Sequence, residues 1–467
     1  METKKQNKGL GISTRSFIVA LLIIFVLMCL TYAVTFVVPG GEYERVTDSN
    51  GQEIIVTDSF KHTEGGLPFW KWILSPILVL GAAGSGTIIA VIVFLLLVGG
   101  VFNALDKSGM MRYMLDKIVA KCGHVRYRLL AVVIFFFMCM GAFIGSFEEC
   151  VPLVPIVVGL AVALGWDELT GLGMSLLAIG CGFSSGICNP FTVGVAQEIA
   201  GLPMFSGIWL RLIAFAVIYC IVLLFVRCYA KKIERPIAKE YADNNFVADK
   251  NMDVALWIFV VVLGMGILMV LCSVFVTALQ DYTMVIVALT FFVAGITSVV
   301  VTGMDMADIG KHFWNGITSI LPAVLMILMA SSIKYTLTEG KILDTLLHYA
   351  VETAQMLPQW LMILFIYLIV LVINFFISSG SAKAFLLMPV VLPIAQIFGI
   401  SAQLSVLAFA FGDGFSNILY PTNAVLLISL GLANVSYGKW FKWTWSLQLL
   451  ILAVTSLLLL FGLAVGY

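Results

Sequence analysis

Long apolar segments separated by short polar ones run along almost the whole chain. One occupies 16–38, a second lies near 87–104 and another at about 254–277. Each is close to the ~20 residues that an α-helix needs to cross a bilayer, and no small-residue cleavage site of a signal peptide follows the first. The pattern therefore predicts an all-α polytopic membrane protein.

Composition supports that class. Hydrophobic residues make up 61% of the 467 residues, charged residues only 11%, and the mean hydropathy is +1.07, whereas soluble domains are about 25% charged. A net charge of zero gives no reason to expect a nucleic-acid partner, so membrane lipid and a small-molecule substrate are the expected partners. The nine cysteines have no CxxC spacing, and we expect no cofactor; a metal site stays unassigned.

Basic residues indicate the orientation. The loop 39–70 has two Lys/Arg, whereas 105–128 and 227–253 have six each. Because cytoplasmic loops carry the excess of Lys and Arg, the N-terminus and the two basic segments are predicted to be cytoplasmic and the loop 39–70 external.

The region between these basic segments contains four apolar runs, at 129–145, 150–165, 171–199 and 207–226. Four full crossings fit the orientation. The first two runs are short, however, and meet at "GSFEEC", so we prefer a re-entrant hairpin with its tip near the midplane. Non-helical backbone at that depth requires a covering of protein or a water-filled cavity.

The second half of the chain repeats the first at an offset of 231 residues. The offset aligns Ser185 with Ser416, Pro190 with Pro421 and Arg211 with Lys442. The counterpart of 105–128 is 336–359, which has a single lysine and is therefore predicted to be external. The prediction is two inverted repeats with nine full spans, two hairpins and an external C-terminus, the organisation of many secondary transporters.

Each repeat has a hairpin tip and an interrupted span. The four interruptions lie at 145–150, 184–190, 378–383 and 412–423. Any single break is more simply explained as a kink or a small-residue packing contact. Four symmetric breaks favour one central site, in which freed backbone groups at half-helix ends point into a cavity.

Four formal charges are predicted near the midplane: Glu148, Glu149, Asp413 and Lys383. Lys383 lies near the start of a half-helix, where the dipole disfavours a cation, and it requires an anion. Asp413, a tip glutamate and a substrate carboxylate are the candidates. The alternative is a buried ion pair that holds two hairpins together.

Other intramembrane polar residues are open to two interpretations. Asn374 lies in a hairpin arm and is either an interhelical hydrogen bond or a ligand. The tryptophans fit an interfacial belt; they lie at positions 70, 72, 209, 440, 443 and 445.

Enzymes and channels fit the sequence less well than carriers. "AFGDGF" lacks the first glycine of the GxGD protease motif, which is Ala410 here, and no second intramembrane aspartate can complete a dyad. HExxH and phosphate-loop motifs are absent, and no repeated pore motif or charged ring indicates a channel. We expect no enzymatic activity.

Four segments carry a family resemblance. They are "GSFEECVPLVPIVVGLAVALGWDELT", "SSGICNPFTVGVAQEIAGLPMFSG", "SSGSAKAFLLMPVVLPI" and "VLAFAFGDGFSNILYPTNAVLL". They resemble the signature regions of the anaerobic C4-dicarboxylate carrier family, in its YfcC-like branch within the ion transporter superfamily. Members of this branch are often described as basic amino acid antiporters, and the broader family moves dicarboxylates.

The resemblance implies scaffold and transport domains, elevator-like movement, a homodimer and a bacterial inner-membrane location. Scaffold helices would occupy 1–126, 204–253, 254–358 and 435–467; the transport domain would occupy 127–203 (hairpin 127–165, broken helix 170–200) and 359–434 (hairpin 359–397, broken helix 402–430). The implied site residues are Ser146, Glu148, Glu149, Ser185, Asn189, Ser379, Gly380, Ser381, Lys383, Asp413, Ser416, Asn417, Thr422 and Asn423.

Charge discriminates between the family's substrates. If all four midplane groups are ionised, the site carries two negative charges, so a dianion is repelled unless protons or sodium accompany it. We therefore predict a carrier of amino acids or small amine-bearing peptides, with the amine at Glu148 or Glu149 and the carboxylate at Lys383 or half-helix N-termini. Exchange, proton symport and sodium symport stay open, and the alternative cargo is a C4-dicarboxylate or other organic anion.

Overall fold

The structure is a computed structural model that describes residues 14–47, 53–55, 59–82, 85–145, 147–236, 249–273, 282–354 and 357–467. Helices dominate these residues. In the first half they are α1 (Thr14–Val37), α2 (Phe69–Ile73), α3 (Ser75–Leu78), α4 (Ser85–Lys107), α5 (Met110–Cys122), α6 (Arg126–Cys139), α7 (Val154–Ala163), α8 (Glu168–Leu172), α9 (Ala178–Ser185), α10 (Val195–Ile199) and α11 (Ile208–Ile233). In the second half they are α12 (Lys250–Ser273), α13 (Thr283–Val301), α14 (Met306–Glu339), α15 (Leu343–Ala354), α16 (Gln359–Phe376), α17 (Gly380–Ile397), α18 (Ala402–Gly414), α19 (Ala424–Leu432) and α20 (Tyr437–Ala464).

The predicted all-α class needs one correction. Four strands lie between α1 and α2, namely β1 (Gly40–Glu42), β2 (Arg45–Thr47), β3 (Glu53–Ile55) and β4 (Lys61–Thr63). They pair antiparallel, β1 with β4 and β2 with β3. Gly41 lies opposite His62 and close to the Phe60 ring, where a Cβ atom would overlap it. The loop predicted to be external is thus partly a small sheet.

Eight helical segments in the described part of the chain are long and apolar enough to cross a membrane. The sequence predicted nine spans. Two of the eight, Met110–Ile144 and Gly380–Ile397, contain arms of the predicted hairpins. The count of nine therefore stays a prediction, because length and apolarity alone do not separate a crossing from a hairpin arm.

Short irregular turns extend or interrupt the helices of the first half. A π-turn (Met140–Ile144) extends α6, and a 3₁₀ turn (Glu148–Leu153) precedes α7. A second π-turn (Gly173–Leu177) joins α8 to α9, and a third (Pro190–Gly194) precedes α10. Such distortions in apolar helices are frequent at functional sites.

Small residues let the helices pack backbone to backbone. Between α6 of the first hairpin and α9 of the broken helix that follows it, a Cβ atom at Gly182 would overlap the carbonyl oxygen of Met138. Between α4 and α14, a Cβ atom at Gly316 would lie 2.7 Å from the Cα of Gly100. Close approach at glycine is the usual way in which membrane helices gain packing energy, since lipid supplies little hydrophobic driving force.

The bases of the two hairpins lie at opposite ends of α11. At its C-terminal end, Tyr229 donates to Asp167 Oδ2 at 2.7 Å and the amide of Arg235 donates to the Gly165 carbonyl at 2.9 Å, beside the first hairpin. At its N-terminal end, the side chain of Gln403, just after the second hairpin, donates to the Ser206 carbonyl. With 26 residues, α11 is about 39 Å long, so the contacts beside the two predicted hairpins are separated by nearly the length of this helix.

Candidate functional site

The second hairpin turns between α16 and α17 and buries a lysine. After α16 ends at Phe376, three extended residues lead to Gly380, and Lys383 lies in the first turn of α17. Its side chain has no exposed surface. The ammonium Nζ lies 2.5 Å from Asp413 Oδ1 and also donates to Asn374 Oδ1. Of the three anions that the sequence offered for Lys383, the structure places Asp413 against it.

Asp413 lies near the C-terminal end of α18 and is also fully buried. A Cβ atom on Gly380, the first residue of α17, would lie 3.0 Å from Asp413 Oδ2. The carboxylate therefore lies at the positive end of the α17 dipole, which stabilises an anion. The Asp413 carboxylate also balances the positive charge of Lys383, which the same helix dipole disfavours. The pair joins the second hairpin to the interrupted span of its own half, not the two hairpins to each other.

An amide network continues from the ion pair into the second break. Asn374 Nδ2 donates to Ser416 Oγ at 2.6 Å and to Asn417 Oδ1 at 3.0 Å. Asn423 Nδ2 donates to the same Asn417 oxygen at 3.3 Å, and its own Oδ1 accepts the amides of Val425 and Leu426 at the start of α19. A chain of polar contacts therefore runs from Asp413 to the α19 N-terminus.

The sequence predicted that the carbonyls freed by the second break point into a cavity. Two of them are instead bound by side chains of α20. Trp440 in α20 donates from Nε1 to the Ile418 carbonyl at 2.7 Å, and Tyr437 donates to the Leu419 carbonyl at 2.8 Å. Trp440 has no exposed surface, so its assignment to an interfacial belt is wrong. An indole N–H in the interior needs an acceptor, and a broken helix provides one.

The first break is closed by its own residues. Ser185 donates to the Cys181 carbonyl at 2.8 Å, and Asn189 Oδ1 accepts the amide of Phe191 at 3.0 Å. The first tip lies against this break, since a Cβ atom on Gly145, whose φ is +74°, would overlap the Asn189 side chain. Glycine adopts this left-handed conformation without a steric cost and, lacking a Cβ atom, tolerates such a close approach.

The first break also meets the tip of the second hairpin. A Cβ atom on Gly380 would lie 2.6 Å from Thr192 Cγ2. Thr192 is 1% exposed, and its hydroxyl has no hydrogen-bond partner among the described residues. Residues from both halves therefore meet beside the Asp413 carboxylate.

The remaining predicted site residues are less closely connected. Glu148 is half-buried and begins the 3₁₀ turn after the first tip. Ser146 and the side chain of Glu149 lie outside the described residues. Ser379 is exposed and precedes α17 without a side-chain cap, Ser381 is half-exposed, and the hydroxyl of Thr422 has no partner in the described part of the chain.

Two residues of this region, Asn374 and Thr192, are not among the site residues predicted from the sequence. Asn374 links the ion pair to the second break, and its polarity within an apolar arm was the available signal. Thr192 lies two residues after a predicted break residue, and nothing in the sequence distinguishes its hydroxyl from that of other buried threonines. The described residues contain no group of three His, Cys, Asp or Glu side chains able to hold a metal ion.

Comparisons with known proteins identify relatives along nearly the whole length. Residues 17–464 match the family described as C4-dicarboxylate anaerobic carrier. The chain is 29% identical to a protein of Escherichia coli (strain K12) named "Putative basic amino acid antiporter YfcC", with 96% of each chain covered. It is 24% identical to an uncharacterized protein of Haemophilus influenzae, with 98% of each covered.

Two solved structures are also similar. One is the YdaH transporter of Alcanivorax borkumensis, at 18% identity and a TM-score of 0.44, with 97% of this chain and 99% of that chain covered. The other is MtrF of Neisseria gonorrhoeae, described in the context of antimetabolite efflux pumps, at 15% identity and a TM-score of 0.46, with 94% of each chain covered.

Proposed function

Because the chain belongs to the C4-dicarboxylate anaerobic carrier family, a family of multi-pass membrane carriers, we propose that it is a secondary active transporter of small amine-bearing solutes. Amino acids, basic ones included, or small peptides are the proposed cargo. The relatives are carriers and antiporters by description, so we assign no enzymatic activity.

The observation that carries the cargo assignment is the Lys383–Asp413 ion pair. The two side chains are fully buried and neutralise each other at 2.5 Å. With this pair neutral overall, the formal charges that we propose set the net charge of the site are the glutamates at 148 and 149. Glu148 keeps a partly exposed side chain. An ammonium group is attracted to such a site, whereas a dianion is repelled.

The sequence suggested two partners for the substrate carboxylate, Lys383 and half-helix N-termini, and we favour the second. Lys383 is fully enclosed and already donates to Asp413 and Asn374, so a substrate carboxylate does not reach its ammonium in this conformation. The start of α17 has no side-chain cap, and its first backbone N–H groups are the proposed donors for a carboxylate.

An elevator-type cycle is the proposed mechanism. The two hairpins and two broken helices would move together against the scaffold helices, by exchange or with proton or sodium coupling. The opposite placement of the hairpin bases along α11 supports this proposal. A homodimer in the bacterial inner membrane, with a cytoplasmic N-terminus and an external C-terminus, completes it.

The test is transport by proteoliposomes containing the purified carrier. Labelled lysine or arginine should exchange against the same unlabelled amino acid, with saturation, and Glu148→Gln should raise the half-saturating concentration about tenfold or more, as expected for loss of a desolvated charge contact. Glu168→Gln, remote from the breaks at the start of α8, is the matched control. If Glu148→Gln takes up every amine substrate with the same half-saturating concentration as the unaltered carrier, the assignment is contradicted.

A dicarboxylate carrier is the second candidate, and the family's description favours it. Succinate counterflow in the same vesicles, stimulated by sodium or an imposed proton gradient, with no exchange of basic amino acids, would establish that alternative.

A further inference from the structure

Arg211 is a buried cation that the proposed transport site does not use. It lies in the first turns of α11, at the end of the molecule where the second hairpin has its base. Arg211 and Lys383 are the basic side chains fully enclosed in the described part of the chain. Their surroundings differ, because Lys383 has a carboxylate partner.

The guanidinium of Arg211 is only partly satisfied. Its Nη2 donates to the carbonyl oxygens of Phe205 and Ser206, at 3.0 Å and 2.7 Å. Nε and Nη1 have no hydrogen-bond partner among the described residues. Three N–H donors of a permanent cation are therefore enclosed without an acceptor. A buried charge in this state is strongly unfavourable, and a further acceptor that carries negative charge would offset that cost.

Two uncharged side chains of the described residues lie near this cation. The thiol of Cys188, in the first break, and the phenol of Tyr467 lie within electrostatic range of the guanidinium. The Tyr467 hydroxyl donates to the Gly207 carbonyl at 2.5 Å. Tyr467 also lines a cavity of about 420 Å³, together with Ser401 and Leu404. A small ligand could therefore approach the neighbourhood of Arg211 from this end of the molecule.

We propose that Arg211 forms a binding site for one small monovalent anion, either a halide or a carboxylate. The free donors on Nε and Nη1 bind the anion, and the Phe205 and Ser206 carbonyls hold the guanidinium in position. Arginine suits this role because it stays charged when buried and is less strongly hydrated than lysine. The site is separate from the proposed amine site. The proposal therefore does not depend on which solute the carrier moves.

The first test is diffraction from crystals of the full chain grown in bromide. An anomalous peak in contact with Arg211 Nε or Nη1 is expected for a halide. If bromide leaves no peak but acetate or an amino acid carboxylate has density there, the carboxylate form of the site is established. Absence of density for all of these anions beside Arg211 overturns the proposal.

The second test is thermal unfolding of the purified protein in chloride, acetate and gluconate salts at one ionic strength. Anion binding should raise the melting temperature by about 2 °C or more in chloride or acetate relative to the bulky gluconate. Arg211→Gln should abolish this difference and Arg211→Lys should retain part of it. Lys442→Gln, which removes the exposed lysine aligned with Arg211 in the second half, should leave the difference unchanged.

These variants separate a local site from a general salt effect. Retention of the full anion difference by Arg211→Gln, or its loss in Lys442→Gln, contradicts the proposal. If Arg211→Gln does not fold, the bromide and acetate crystals of the unaltered protein decide the question alone.

Discussion

Lys383 shows how an ionisable residue is tolerated where apolar helices surround it. The sequence marked it because its charge interrupts a segment predicted to be re-entrant, and Asp413 was one of three candidate partners. In the structure, Asp413 satisfies the ammonium, and the uncapped start of α17 faces the same carboxylate. The lysine is therefore part of a compensated cluster, with Asn374 as its second acceptor.

Breaking this pair from one side should be costly. Asp413→Asn leaves an enclosed ammonium without its counter-charge, and we expect the free energy of unfolding to fall by about 3–5 kcal/mol. The double variant Lys383→Met with Asp413→Asn should recover a large part of that loss, because no unpaired charge is left. Thermal or chemical denaturation in detergent measures both.

Lys439→Met, at an exposed position near the start of α20, is the control for removing a lysine and should change stability by less than about 0.5 kcal/mol. A double variant as unstable as Asp413→Asn would show that the ion pair does not account for the loss.

At the scale of elements, the interrupted helices are completed by their neighbours. The break after α18 frees carbonyl oxygens, and α20 supplies an indole and a phenol to Ile418 and Leu419. The break before α10 uses its own Asn189 as a cap. Sequence patterns located these breaks, because proline and glycine act locally. They did not identify α20 as the donor, since that pairing depends on how the last helix packs.

Trp440→Phe should therefore destabilise the second break. The ring still fits, but the Ile418 carbonyl is left buried without its donor, at a cost of about 1–3 kcal/mol in the free energy of unfolding. Trp445→Phe makes the same chemical change at a position that is 48% exposed and should have little effect. Thermal unfolding of the two variants side by side gives the comparison, and equal losses would contradict this role for Trp440.

For the molecule as a whole, the contacts at the two ends of α11 matter most. Ser206 Oγ and Gln403 Oε1 lie 3.3 Å apart at one end, between segments proposed as scaffold and transport parts. At the other end, Tyr229 of a proposed scaffold segment donates to Asp167 Oδ2 of a proposed transport segment at 2.7 Å, beside the base of the first hairpin. An elevator-type movement requires contacts of this kind to break in turn.

Cross-linking tests that movement. We would introduce cysteines at Ser206 and Gln403 in a background without the nine natural cysteines. Cross-linking them with a short bifunctional thiol reagent should reduce transport about tenfold or more, because the proposed domains could no longer slide. The control is a pair of cysteines at Lys117 and Asp253, both in proposed scaffold segments, where Lys117 Nζ lies 2.5 Å from Asp253 Oδ1. Cross-linking this pair should leave transport intact. Full transport after complete cross-linking of the first pair would exclude the proposed movement.

The sequence by itself determined the membrane class, the family, the helix interruptions at 184–190 and 412–423, and the charges that need partners. These follow from hydropathy, proline and glycine, whose effects are felt within a few residues. Tertiary structure alone decided that Asp413 pairs with Lys383, that Thr192 meets the tip of the other half and that Trp440 completes a broken helix. It also left Arg211 enclosed with free donors. Such pairings depend on which helix faces approach each other in three dimensions, and the apolar pattern of a buried helix is nearly the same on every face.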